Sequence, residues 1–281
     1  MKFVRYGQLG QEKPGLIDRA GHLRDLSGHI PDLSGDQLSR RNIEKLRQLR
    51  TDDLKLVEGK PRLGPPVAGV GHFIAVGLNY VDHAHETNSP IPDEPILFNK
   101  ATSSIVGPND DVILPRGSTK TDWEVELAIV IGEGGYDIAE RAAFDHIAGY
   151  CVCNDVSERA YQTERGGQWM KGKSSPTFGP LGPWLVTPEE IENVQALDLF
   201  LDVNGERRQT GNTRTMIFGV TFLVSYISRF MALNPGDVIT TGTPPGVGLG
   251  MKPPTFLKNG DVVTLGIAGL GTQTQAVVTR A

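Results

Sequence analysis

Apolar and polar residues alternate ahead of an Asn-Gly pair in "ALDLFLDVNGERRQTG", and this stretch constrains the fold more than any other. Leu197, Leu199 and Leu201 would share one face of a strand, because successive strand side chains point to opposite sides. Asn204-Gly205 is a preferred pair for a type I′ turn. The stretch therefore predicts a β-hairpin.

The rest of the chain favours a mostly-β body of the α+β class. Its 34 glycines and 19 prolines supply many turns, and "GDVVTLGIAGLGTQTQAVV" predicts a second hairpin. Strands and helices do not alternate as they would in a doubly wound sheet. One long apolar stretch, "RTMIFGVTFLVSYISRFM", predicts a buried helix that is stopped by Pro235-Gly236.

Residues 1–67 are predicted to form a small N-terminal α/β cap domain. The segments "KFVRYG", "KPGLID" and "GHLRDLS" indicate short strands, and Ser39 is placed to cap a helix through "RRNIEKLRQLR". The Pro/Gly-rich "RLGPPVAGVG" then marks a boundary. Residues 68–281 are predicted to form the main domain.

Composition and charge limit the classes of function that the chain can have. A net charge of −5 without a Lys/Arg block argues against nucleic acid as a partner. No apolar run has the length of a membrane span, and the segment after Met1 lacks a signal-peptide core, so we expect a soluble cytoplasmic protein that acts on small molecules. Cys151 and Cys153 have strand spacing, which indicates buried thiols rather than a redox or zinc site.

Acidic residues lie at the ends of two predicted strands. Glu124 and Glu126 open the apolar run of "TKTDWEVELAIVIG" and would project to the same side, and Asp155 ends the apolar "CVCND". Oxygen-only ligands suit Mg²⁺, Mn²⁺ or Ca²⁺ better than zinc. The alternative is an exposed strand face that pairs with lysines such as Lys120.

A histidine and a glutamate are three residues apart in "AVGLNYVDHAHETN". On a short helix, His83 and Glu86 would share a face and could act as a general-base pair, whereas His85 is expected to be exposed. The following "TNSPIPDEP" has the composition of a lid.

Two further segments offer groups for an anion. In "QWMKGKSSPTFGP", Lys173 could neutralise a substrate carboxylate or an oxyanion, while Lys171 fits a surface charge better. In "TTGTPPGVG", backbone N–H groups and the Thr243 hydroxyl could bind an anion, or the segment could be a plain turn.

The order of five motifs resembles the fumarylacetoacetate hydrolase (FAH) family. They are NYxDHxxE, ExE, NDxSxR, GKSxxxxGP and TGTPxGVG, within residues 72–281. The resemblance implies an FAH-type mixed β-roll body, a small N-terminal domain and a homodimer or higher homo-oligomer. It also implies roles at the matching positions: Mg²⁺ or Mn²⁺ held by Glu124, Glu126 and Asp155; catalysis by His83, Glu86 and Lys173; substrate binding by Asn79, Tyr80, Gln162 and Thr243.

The resemblance implies hydrolysis of the C–C bond of a 2,4-diketo acid. The wording of "RYGQLGQEKPGLID" and "TDWEVELAIVIG" is most similar to bacterial enzymes that cleave 2,4-diketo-3-deoxy-L-fuconate or -L-rhamnonate to pyruvate and lactate. Acylpyruvate hydrolysis, oxaloacetate decarboxylation, hydration and isomerisation use related chemistry and stay open. An alternative of another class is a catalytically silent metal-binding or ligand-sensing scaffold.

Overall fold

Residues 1–86 and 90–279 are described by the computed structural model. Strands account for 34% of the chain and helices, with the short 3₁₀ helices included, for 22%, which confirms the mostly-β, α+β class. The strands are β1 (Lys2–Tyr6), β2 (Lys13–Ile17), β3 (Leu23–Asp25), β4 (Leu63–Gly64), β5 (Phe73–Gly77), β6 (Ile96–Lys100), β7 (Ile105–Val106), β8 (Val112–Leu114), β9 (Thr121–Asp122), β10 (Val125–Ile131), β11 (Ile147–Asn154), β12 (Ser157–Glu158), β13 (Gly179–Val186), β14 (Asp198–Val203), β15 (Glu206–Asn212), β16 (Val238–Thr240), β17 (Val262–Ile267) and β18 (Gly271–Thr279). The α-helices are α1 (Arg40–Arg47), α2 (Val81–Glu86), α3 (Arg159–Thr163), α4 (Met170–Lys173) and α5 (Val220–Ser228).

One large mixed sheet forms the centre of the molecule. Its strand order is β3-β2-β1-β13-β11-β10-β16-β5-β6, with β4 on β1 and β7 on β13. A second sheet, in the order β15-β14-β17-β18-β8, packs against it. The core between the sheets contains Leu127 and Ile129 of β10 together with Leu201 and Leu265.

The other face of β10 carries the carboxylates. Ala128 and Val130 of this strand pack in a separate core with Cys151, Cys153 and residues of the N-terminal segment. Because strand side chains alternate, Glu124 and Glu126 belong to this same even-numbered face. Both cysteines are buried there as free thiols, as predicted.

The N-terminal segment adds strands to the large sheet. Phe3 of β1 is paired with Leu185 of β13, so the sheet continues across residue 67. The predicted helix is confirmed as α1, and the Ser39 side chain accepts a hydrogen bond from the Asn42 N–H. The division at residue 67 stays a prediction, although the two sides share one sheet.

Both predicted hairpins are confirmed. The pair β14–β15 turns at Asn204 and Gly205, whose φ values of 54° and 78° fit a type I′ turn. The pair β17–β18 forms the second hairpin.

The predicted extent of the long apolar helix is wrong. The helix α5 begins at Val220, because Ile217 and Phe218 donate backbone hydrogen bonds to Asn79 instead of entering the helix. It ends at Ser228, well before Pro235. Over residues 1–86 and 90–279, no helix combines the length and apolar character needed to cross a bilayer.

Candidate active site

The antiparallel pair β10–β11 brings three carboxylates together. Val125 lies opposite Asn154, and the Asp155 N–H donates to the Glu124 carbonyl over 2.9 Å, which fixes the ends of both strands. Glu124, Glu126 and Asp155 are buried, and one oxygen of each lies within 4.8 Å of the others. We call these residues the carboxylate triad. An exposed strand face paired with Lys120 is the wrong alternative, since Lys120 pairs with Glu164.

The triad members have unlike electrostatic environments. Burial raises the pKa of Glu126 well above its usual range, and the charges of Asp155 and Glu124 add to this effect. Burial also acts on Glu124, but Lys173 and Arg159 outweigh it and hold the pKa of Glu124 at about 2. The charge of Glu124 is therefore balanced by cations, whereas burial and two neighbouring carboxylates oppose the charged form of Glu126.

Two buried lysines contact the triad. The Lys173 ammonium donates to Glu124 and Asp155, each over 2.7 Å, and its pKa is raised because the attraction of Asp155 and Glu124 outweighs burial. Lys100 ends β6 and donates to Asp155 over 2.6 Å. Asp155 is thus held between two ammonium groups.

Arg159 is bonded through each of its side-chain nitrogens. Its Nε donates to Asp122 over 2.8 Å, its Nη1 to the Gln162 amide oxygen over 3.1 Å, and its Nη2 lies 2.7 Å from Glu124. The bonds to Asp122 and Gln162 therefore hold the guanidinium in position against Glu124.

The triad fits a hard divalent cation. Its donors are carboxylate oxygens alone, which Mg²⁺, Mn²⁺ and Ca²⁺ prefer. Glu124, Glu126 and Asp155 are therefore suited to hold the metal that family membership would imply.

His83 and Glu86 lie on α2 at the edge of the same cavity. The His83 Nδ1 is 3.0 Å from a Glu86 oxygen, and the other Glu86 oxygen accepts a 2.9 Å hydrogen bond from the Gly246 N–H. His83 lines the cavity together with the carboxylate triad. His85 is exposed, as predicted. Of the predicted lid, Thr87–Ser89 lie outside the described residues.

The structure does not place every predicted substrate residue at the cavity. Asn79 is fully buried, and its amide nitrogen donates to the carbonyls of Phe218 and Thr241. Tyr80 is fully buried next to Glu126. Neither Asn79 nor Tyr80 lines the cavity. Asn79 therefore holds the backbone behind the site, and the predicted substrate-binding roles of Asn79 and Tyr80 stay predictions.

Gln162 and Thr243 do line the cavity. The Thr243 hydroxyl donates to the Val125 carbonyl over 2.9 Å and accepts from the Gln209 amide over 2.8 Å. The hydroxyl is therefore already engaged in holding its loop on β10. The predicted roles of both residues in substrate binding stay predictions.

Sequence reasoning assigned no role to Lys100, Arg159, Asp122, Phe98 or Trp169. A usable signal exists for Lys100, since a lysine that ends an apolar strand needs a buried partner. Arg159 stands in the NDxSxR motif, but its partners Asp122 and Glu124 lie more than thirty positions earlier.

A second cavity, of about 340 Å³, lies beside α1. Its charged side chains pair with one another: Arg40 with Asp145 over 2.9 Å, and Arg47 with Glu44 over 2.8 Å. The carboxylate cavity is smaller, at about 220 Å³, but it combines the triad, Lys173 and His83, which Glu86 contacts from outside the lining. We therefore take the carboxylate cavity as the candidate active site.

The fold and the site define an enzyme with a buried carboxylate triad beside a His–Glu pair. Residues 72–278 match the family model for the C-terminal domain of fumarylacetoacetate (FAA) hydrolase, and the chain belongs to that family.

Related proteins agree with this assignment. A Burkholderia cenocepacia protein named "Putative hydrolase" is 60% identical over 276 residues, which cover 98% of each chain. The fumarylacetoacetate hydrolase of Exiguobacterium antarcticum superposes with a TM-score of 0.86 at 36% identity and full coverage of both chains. The 2-hydroxyhepta-2,4-diene-1,7-dioate isomerase of Mycobacterium marinum gives a TM-score of 0.78 at 31% identity, covering 100% of this chain and 99% of its own. These relatives support a hydrolase and show that the fold also serves isomerases.

Proposed function

We propose that this protein is a divalent-metal-dependent hydrolase that cleaves the C–C bond of a 2,4-diketo acid. The observation that carries the proposal is the meeting of the carboxylate triad, Lys173 and the Glu86-bonded His83 in one cavity. A decarboxylase must stabilise an enolate, but it does not need a base for an attacking water. The oriented His83 therefore favours hydrolysis over decarboxylation.

His83 has the geometry of a general base. Glu86 orients the imidazole through Nδ1, and the ring then takes a proton from water in the proposed reaction. The water oxygen bonds to C4 of the substrate, the C3–C4 bond breaks, and its electron pair leaves as the enolate of pyruvate. Protonation of that enolate at C3 gives pyruvate, and the C4 fragment leaves as a carboxylic acid.

Lys173 places positive charge where the enolate forms. Its ammonium is buried between Glu124 and Asp155, and a fixed charge in such a site stabilises a developing anion more strongly than it would in water. A divalent cation held by the carboxylate triad would supply Lewis-acid stabilisation of the same charge.

We further propose 2,4-diketo-3-deoxy-L-fuconate or -L-rhamnonate as the substrate, with pyruvate and lactate as products. This finer assignment is supported by the similarity of sequence segments rather than by the geometry of the cavity. Acylpyruvates and oxaloacetate are the competing substrates. A homodimer is likewise a proposal, and sedimentation velocity tests it.

Product analysis tests the proposed function. The protein is incubated with several 2,4-diketo acids in Mg²⁺, in Mn²⁺ and in excess chelator. We expect equimolar pyruvate and carboxylic acid with either metal and neither product in chelator. Release of CO₂ alone would indicate a decarboxylase, and an intact carbon skeleton an isomerase. A failure to convert any of the acids would favour the silent scaffold.

A further inference from the structure

The cavity is polar in one part and apolar in another. The polar part contains the carboxylate triad, Arg159 and Lys173. The remaining lining includes four large apolar side chains, which we call the apolar wall: Leu78, Phe98, Trp169 and Leu249. A volume of about 220 Å³ lies below the range of pockets for drug-sized ligands, so the occupant is small.

The aromatic members of the apolar wall hold each other in place. Phe98 and Trp169 meet edge to face, with ring centroids 5.3 Å apart. The Trp169 ring also lies on Gly77, where an added Cβ would come within 2.4 Å of its ring atoms. Phe98 is in addition 5.3 Å from the Lys173 ammonium. The apolar wall therefore starts at the edge of the charged cluster and is rigidly packed.

Cations in the cavity are already committed to carboxylates. The charge of Arg159 is paired with Asp122 and Glu124, and its Nη1 donates to the Gln162 amide oxygen. Lys173 is shared by Glu124 and Asp155, and His83 faces Glu86. Within residues 1–86 and 90–279, these are the basic side chains of the lining.

The two ends of a substrate would thus meet different surroundings. One carboxylate can be received at a metal held by the triad. A second carboxylate at the far end would lie on the apolar wall, where it would lose water without gaining an uncommitted cation. An alkyl or hydroxyalkyl group has no such penalty there.

We propose that the cavity selects a diketo acid with a single carboxylate and a short uncharged far end, and that Trp169 is a specificity-determining residue that contacts this end. The proposal rests on the proposed function, because it assumes that the carboxylate end binds at the triad. The cavity would therefore distinguish diketo acids by the charge at the far end of the acyl group.

The test compares 2,4-dioxoheptanedioate with its C7 monoamide, which has the same length and no second charge. Binding is measured by calorimetry in Mg²⁺ with the His83→Ala variant, so that no turnover is needed, and kcat/KM is measured with the wild type. We expect the monoamide to be preferred by roughly 10²-fold in both measurements. Equal preference, or a preference for the dicarboxylate, would overturn the proposal.

Variants then locate the discrimination. Trp169→Arg should bring the preference for the monoamide over the dicarboxylate close to one, because the new arginine supplies a cation to the second carboxylate. Met170→Arg is the matched control, since Met170 is exposed and lies outside the lining, and it should keep the wild-type ratio. If Trp169→Arg does not fold, Leu249→Arg at the half-exposed rim serves the same purpose. A wild-type ratio in folded arginine variants would contradict the role of the apolar wall.

The two proposals fail in different ways. If His83→Ala binds the monoamide more tightly but the wild type hydrolyses neither acid, the selectivity stands and the proposed reaction is wrong. If neither acid binds in Mg²⁺ or Mn²⁺, both proposals are overturned. If both acids are hydrolysed equally well, the reaction stands and the selectivity is wrong.

Discussion

Glu124 and Glu126 are two residues apart, yet they are expected to respond oppositely to loss of charge. Glu124 contacts Lys173 and Arg159, so its charge is balanced. Glu126 accepts a hydrogen bond from the Gly242 N–H, but its carboxylate is opposed by Asp155 and Glu124. A glutamate charge is thus expected to stabilise the folded protein at position 124 and to destabilise it at position 126.

Unfolding in chelator tests this difference. We expect Glu124→Gln to lower the free energy of unfolding by about 3 kcal/mol, the usual cost of breaking a buried ion pair. Glu126→Gln should leave it unchanged or raise it, because the variant keeps the hydrogen-bond acceptor and removes a repelled charge. Urea titrations followed by circular dichroism give both values, and a larger loss for Glu126→Gln would refute the account.

The same environment predicts a pH dependence. The pKa of Glu126 is raised in the folded protein, so between the ordinary carboxyl pKa and the raised one the folded state binds more protons than the unfolded chain. The contribution of Glu126 to stability in chelator should therefore fall as the pH rises through this window. Urea titrations at a series of pH values should show a shallower fall for Glu126→Gln than for the wild type. Identical slopes would be inconsistent with the assigned environment.

The two lysines of α4 provide a matched pair for the role of positive charge. Lys173 is buried on the triad, whereas Lys171 is exposed and donates to the Arg165 carbonyl. Lys173→Met should lower kcat by roughly 10²- to 10³-fold, in the range of lost oxyanion stabilisation, and Lys171→Met should not change it. Mn²⁺ titration of each variant separates a loss of chemistry from a loss of metal. Equal rates in the two variants would remove Lys173 from the mechanism.

Among the structural elements, the loop after β16 positions the His–Glu pair. The Gly246 N–H donates to Glu86, and a Cβ on Gly250 would come within 2.9 Å of the Glu86 carboxyl carbon. Asp122 fixes the loop by accepting from the Gly248 and Leu249 N–H groups over 2.7 and 3.0 Å. The loop therefore sets the orientation of Glu86 and, through it, of His83.

Gly250→Ala should displace Glu86 and lower kcat by roughly 10-fold, because a base that is poorly oriented loses part of its usual contribution. Binding of oxalate in Mg²⁺ should stay unchanged, since it does not use the base. Gly28→Ala is the control, because a Cβ at Gly28 would meet nothing within 4 Å. A weaker oxalate affinity in Gly250→Ala would point to a wider collapse of the site.

Elements held by local contacts could be predicted from the sequence, and elements set by distant contacts could not. The turn at Asn204-Gly205 and the cap at Ser39 depend on neighbours in the chain, and both are confirmed. The start of α5 depends on Asn79, which lies far away in sequence. The triad could be anticipated from strand ends, whereas the pairing of Lys100 with Asp155 needs the folded sheet.

For the whole molecule, we expect from the shared sheet that residues 1–67 and the rest of the chain depend on each other for stability. Phe3 and Leu38 pack in one core with Ala128 and Val130 of β10. Removing residues 1–67 would uncover this core and the β13 edge, so the remaining chain should aggregate or lose cooperative unfolding. The cooperativity of unfolding is measured by thermal unfolding of the full-length and the truncated protein. A truncated protein that melts cooperatively would support two separable domains.

The central claim is that His83 activates water while the triad and Lys173 stabilise the departing enolate. The most direct test is the rate of pyruvate release from a 2,4-diketo acid in saturating Mg²⁺ by His83→Ala, with the adjacent exposed His85→Ala as control and oxalate affinity measured on the same preparations. We expect His83→Ala to be slower than the wild type by roughly 10²- to 10⁴-fold with oxalate affinity unchanged, and His85→Ala to match the wild type. A wild-type rate in His83→Ala, or a loss of oxalate binding in parallel with the rate, would contradict the account.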